Sequence, residues 1–151
     1  MTDKNRSPLE LGLDEIFAPQ TLNRERAEEK LKERLMKVTP KLFAEFLSAK
    51  GAAQHCLSCG SSALSVPESG SLGSADLPEN ASELSPEELV KSINFLVTRY
   101  VTYRYVDPTA YPRPSNCEYR VSCINCGHVS FYRVYPVLKW VENSDKEADD
   151  E

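Results

Sequence analysis

The chain has no run of about 18 consecutive apolar residues, which excludes a membrane-spanning helix from its 151 residues. Its opening, Met1-Thr2-Asp3-Lys4, is polar and charged where a secretory leader would carry an apolar core. The expectation is a cytoplasmic protein whose cysteines stay reduced. Histidine is limited to His55 and His128. A Gly-rich phosphate loop, a His-Glu-x-x-His helix and a His-x-Glu with a following Pro-Cys-x-x-Cys are all missing. These gaps remove the common routes to phosphoryl transfer, metalloproteolysis and base deamination, and the chain reads as a binding protein and not an enzyme.

Basic residues are missing from one whole block. Positions 51–90 hold no Lys or Arg against six Asp or Glu, so that block carries −6, with +1 before it, +5 over 91–140 and −5 over 141–151. The net −5 therefore hides a basic segment inside an acidic molecule. Such a segment can meet a polyanion locally, while the field of the whole chain opposes the approach.

Five cysteines are present, four of them in two short turns, Cys56-Leu57-Ser58-Cys59-Gly60 and Cys123-Ile124-Asn125-Cys126-Gly127. Each turn offers two thiolates, and the Gly accepts the positive φ that reverses the chain so that backbone N–H groups approach the sulfurs. Two such turns supply Cys56, Cys59, Cys123 and Cys126 as the four ligands of one tetrahedral Zn²⁺ per chain. The turns lie 63 residues apart, from Gly60 to Ser122, where a compact module has about 15–20. Closing the longer loop costs roughly 1 kcal/mol more. Structural zinc contributes on the order of 10–16 kcal/mol, so the spacing does not prevent the pairing. Disulfides would need an oxidising compartment and would leave one cysteine unpaired. A thioredoxin-like role would want one Cys-x-x-Cys at a strand-to-helix junction. Four thiolates fill the shell, which makes the zinc structural and leaves His55 and His128 beside it. Cys117 shares strand parity with Cys123 but stands about 20 Å away along an extended strand, and reads as a buried apolar residue.

The stretch Cys56 to Ser61, with the stretch Tyr119 to Val134 around the second turn, resembles the two halves of a zinc ribbon. That resemblance implies a β-hairpin after the first knuckle and a third strand after the second. It covers about 30 residues and says little about function, because ribbons serve many kinds of assembly.

Around the knuckles the chain reads as an α+β module: a helical arm over 1–51, a zinc-ribbon antiparallel sheet over 52–141 with an insertion at 67–116, and an acidic disordered tail over 142–151. Leu9, Leu11, Leu13, Ile16 and Phe17 form a short apolar cluster, one or two helical turns or a docking peptide. From Leu22, Ala27, Leu31, Leu35, Val38, Leu42 and Phe46 recur at helical steps. Thr39-Pro40 marks a kink or a fresh helix to Ala49, ended by Gly51. This face either packs on its own domain or forms a dimer or partner surface. Residues 67–84 read as a flexible loop, and Ser85-Pro86-Glu87-Glu88 as a capping box opening a helix to about Leu96. Val97 to Val106, Cys117 to Ser122 and Val129 to Val134 have strand composition, the last running on after Pro136 through Val137, Leu138, Trp140 and Val141.

The strands mix basic and aromatic residues: Arg99, Tyr103, Arg104, Arg120, Tyr132 and Arg133 are the candidate binding surface. On one exposed face they would stack bases and neutralise phosphates. Alternatively the tyrosines build the small sheet's core with arginines lying over them. The favoured expectation is a protein partner meeting a zinc-braced surface, with single-stranded nucleic acid as the alternative. An acidic inhibitor or immunity-type role and homo-oligomerisation through the N-terminal helix also stand.

Overall fold

The computed structural model describes residues 8–72 and 78–149. Helix α1 spans Pro8–Leu35, starting well before Leu22, and the helical stripe breaks after Leu35 into a second helix instead of a kink. Helix α2, Pro40–Ala49, starts where the Thr39 hydroxyl accepts the Leu42 N–H at 3.2 Å and Pro40 takes a first-turn position whose N–H would be unpaired. Gly51 at φ 68 ends it.

The first knuckle leads to β1 (Leu64–Ser65) and then to β2 (Glu68–Ser71). Helix α3, Pro86–Leu96, carries the full capping box, Ser85 accepting from Glu88 N–H and the Glu88 carboxylate accepting from Ser85 N–H. The single strand expected over 97–106 is two, β3 (Thr98–Val101) and β4 (Tyr103–Tyr105). They part at Thr102, whose N–H donates to Pro67 carbonyl and whose hydroxyl meets that of Ser69 at 2.7 Å. Strand β3 pairs antiparallel with β2 as a separate two-stranded sheet, while β4 joins β5 (Cys117–Cys123). Residues 68–71, expected within a flexible loop, are therefore an ordered strand. Backbone pairing needs no apolar side chain, and composition alone did not reveal it.

Strand β5 is the centre of the main sheet. β6 (Val129–Arg133) pairs with Glu118 to Ser122 along one edge. β4 and β1 share the other edge, at Cys117–Tyr119 and Ser122–Cys123 respectively. Only a two-residue β1 follows the first knuckle in this sheet, in place of the hairpin that a zinc ribbon implies.

Helix α4, Val134–Asp149, replaces both the strand expected over 137–141 and, through residue 149, the disordered tail expected over 142–151. Val134, Val137, Leu138 and Val141 fall at steps of three, one and three and are all buried, a helical stripe. Pro136 suggested an edge strand, yet it sits in the first turn, where its missing N–H breaks no helical bond. One core joins Leu31, Leu35, Val38, Phe43 and Phe46 of the first two helices to Val101, Cys117, Tyr119 and Val121 and to the α4 stripe. The stripe expected on the N-terminal helices thus packs into the core of its own sheet. Among the described residues no helix is long and apolar enough to cross a membrane.

Candidate metal centre

Both knuckles fold by the same bonds. Gly60 N–H donates to Cys56 carbonyl and Gly127 N–H to Cys123 carbonyl, each at 2.9 Å, while Cys56 N–H donates to Ser61 carbonyl and Cys123 N–H to His128 carbonyl, each at 2.8 Å. The closing glycines stand at φ 74 and φ 80, a region L side chains reach only with strain. Strand β5 carries the second knuckle to the first, and Ile124 N–H donates to Ala63 carbonyl at 2.9 Å across the join.

The four sulfurs of Cys56, Cys59, Cys123 and Cys126 lie within 4.8 Å of one another. Cys56 and Cys126 Sγ are 3.6 Å apart, Cys59 and Cys123 Sγ 3.7 Å. A disulfide needs about 2.05 Å, and all five cysteines are free thiols. Zn–S bonds of about 2.3 Å in a tetrahedron put sulfurs about 3.8 Å apart, so these two distances suit a metal ion between the knuckles. The donor set fits as well: soft thiolate ligands in a group of four select zinc or iron–sulfur chemistry. Cys56 and Cys123 are buried and Cys59 and Cys126 exposed, which puts the cluster at the molecule's edge.

Backbone and side-chain donors already face the sulfurs. Ser58 and Cys59 N–H groups point to Cys56 Sγ at 3.4 and 3.5 Å, and the Asn125 amide points to Cys59 Sγ at 3.4 Å. The Asn125 bond, with a backbone N–H, brings the Cys59 thiol down to about 6. Such donors favour thiolate, the form a metal binds. Cys117 is fully buried, lies outside the cluster and is pushed up to about 11 by desolvation. His55 and His128 are exposed and are not in the cluster.

The candidate binding residues separate by strand parity. Tyr103, Tyr119 and Tyr132 lie in one cross-strand row on the core face, where the Phe43 ring is 5.1 Å from Tyr119 and 5.9 Å from Tyr132. Arg104, Glu118 and Arg133 form the neighbouring row on the outer face, with Arg120 opposite Phe131 beside it. Arg104 Nε donates to Glu118 at 2.7 Å, and its guanidinium lies 4.5 Å from the Phe131 ring centre. Arg99 belongs to β3 of the other sheet, 3.7 Å from Glu68. The arginines and tyrosines therefore do not meet on one exposed platform.

No family model matches the chain, and no curated protein or solved structure matches it either.

Two groups at the site went unread in the sequence. Asn125 reads in the sequence as an interior knuckle residue, although an amide between two ligands is placed to donate to sulfur. The other is Glu118. Its alternation with the apolar positions was visible, but its bond to Arg104 depends on β4 pairing at that register.

Proposed function

We propose that Cys56, Cys59, Cys123 and Cys126 hold one structural Zn²⁺ and that the protein is a non-enzymatic module, of zinc-ribbon type, whose metal-braced sheet binds a protein partner. The observation that carries this reading is the convergence of two identically folded knuckles, 63 residues apart in the chain, into one four-sulfur cluster. Four thiolates complete a tetrahedral shell, which leaves the ion no position for water or substrate. The work left to it is mechanical: fixing β1 against β5 at the knuckle end. N–H groups from Ser58, Cys59 and Asn125 offset part of the negative charge of four thiolates around a divalent ion. A protein partner is favoured over nucleic acid because the tyrosines that would stack bases face the core, and because the chain is acidic overall.

Chelation tests the bracing. Removing the metal should speed amide exchange along β5 and β6 by orders of magnitude, since structural zinc is worth on the order of 10 kcal/mol. Unchanged protection of residues 117–133 in metal-free protein would refute the structural role.

A further inference from the structure

Strand β6 has a neighbour on one side only. It pairs with β5, and among the described residues no other strand pairs with its second edge. The register fixes which groups are left open. Cys123 N–H donates to His128 carbonyl, which makes that pair a hydrogen-bonded one, and antiparallel pairs alternate. Ser130 and Tyr132 therefore turn their peptide groups to β5, while Val129 and Phe131 turn theirs to the free edge, joined by the Arg133 N–H; the Arg133 carbonyl stands at the start of α4, where it accepts the first helical bond. Those three residues are also exposed on the outer face. An open edge is usually blunted by Lys, Pro or a bulge, and Val129–Arg133 has no Lys or Pro and pairs in unbroken register.

The outer face beside this edge carries uncompensated positive charge. Glu118 is committed to Arg104, and among the described residues the side chains of Arg120 and Arg133 have no hydrogen bond or ion pair. They are diagonal cross-strand neighbours, roughly 7 Å apart at Cβ, flanking Phe131, which is 48 % exposed. Arginine around an exposed aromatic is the composition of an interface centre.

Resting on the protein-binding reading above, we propose that β6 accepts an added strand from a partner protein, an extended segment whose outer-face side chains are acidic. Its main chain pairs with the open groups of Val129 and Phe131 and with the Arg133 N–H, and its carboxylates meet Arg133 and Arg120. Charge chooses this occupant over a second copy of the chain. Self-pairing centred on Phe131 satisfies the same backbone groups, but it sets two outer faces side by side, each with three arginines and one glutamate. Nucleic acid would leave the edge amides unused, and Arg104 already lies over Phe131.

The test uses the full, zinc-loaded chain and a capped seven-residue peptide of alternating Glu and Thr, followed by amide NMR. Amides of Val129, Phe131 and Arg133 should shift and exchange more slowly on titration. Arg120→Ser with Arg133→Ser should weaken the effect by about tenfold or more, as should raised salt. An N-methylated version of the peptide should not bind, a control that leaves the protein unaltered. No shift at millimolar peptide overturns the proposal, as does equal binding of a peptide with Lys in place of Glu. A thymidine oligonucleotide perturbing the same amides at lower concentration would make the face a nucleic-acid surface. Concentration-dependent protection of those amides without peptide would make it a self-association edge. The zinc content of the same sample keeps the two readings apart: a zinc-loaded protein that ignores the peptide defeats the added strand alone.

Discussion

Among the described residues Tyr119 is the largest fully buried side chain, and its hydroxyl has no hydrogen-bond partner. Desolvation raises its pKa strongly, which keeps it neutral, but a neutral hydroxyl without a partner still costs on the order of 1–3 kcal/mol. Tyr119→Phe keeps the ring against Phe43 and removes the orphan group. Thermal unfolding should find it as stable as the parent or about 1 kcal/mol more stable; a clear loss would reveal a partner for the hydroxyl. Gly127 offers the opposite case. A Cβ there meets open space, so Gly127→Ala has no clash and is penalised only through its φ of 80, by about 1–2 kcal/mol. A denaturant melt checks this, and a neutral result would show that the knuckle relaxes. At this scale much was legible in the sequence. Distance along the strand set Cys117 apart from the second knuckle as a buried apolar residue and the knuckle spacing singled out four sulfurs, whereas the state of the Tyr119 hydroxyl depends on neighbours from distant segments.

Helix α4 is held at its exposed side by Arg34 of α1, whose guanidinium grips both oxygens of Glu142, Nε to Oε1 at 2.8 Å and Nη2 to Oε2 at 3.0 Å. The bond to Arg34 lowers the Glu142 pKa. A lowered carboxylate contributes stability above its unfolded pKa, near 4.3, and loses it as pH falls through the folded value. Arg34 is 46 % exposed, so solvent screening limits the pair to about 0.5 kcal/mol. Glu142→Gln should lower the melting temperature slightly at neutral pH, and the difference should vanish in acid; a difference that persists at pH 3 would point to packing. The pairing was out of reach of the sequence, which read 142–151 as a tail because its acidic composition outweighs one apolar stripe. The helix caps were easier. Thr39-Pro40 and Ser85-Pro86 place helix starts by local chemistry alone, whereas β2 and the break at Thr102 are set by which strand each backbone meets.

Across the whole molecule the helical core covers the inner face of the sheet, and the sulfur cluster lies at its end, where a bound metal ion would brace it. Tyr119 and Val121 of β5 lie in the core, and Cys123, two residues on, lies in the cluster, so β5 serves both. The α+β class and the convergence of the knuckles were legible because each follows from spacing and periodicity. The division of arginines and tyrosines between two faces was not, since it requires the register of three strands at once. Native mass spectrometry reads out whether the cluster holds one zinc ion. The parent chain should carry a single zinc, and the variant with Cys123→Ser and Cys126→Ser together should carry none. A folded parent without metal, or zinc retained by the double variant, would contradict the account.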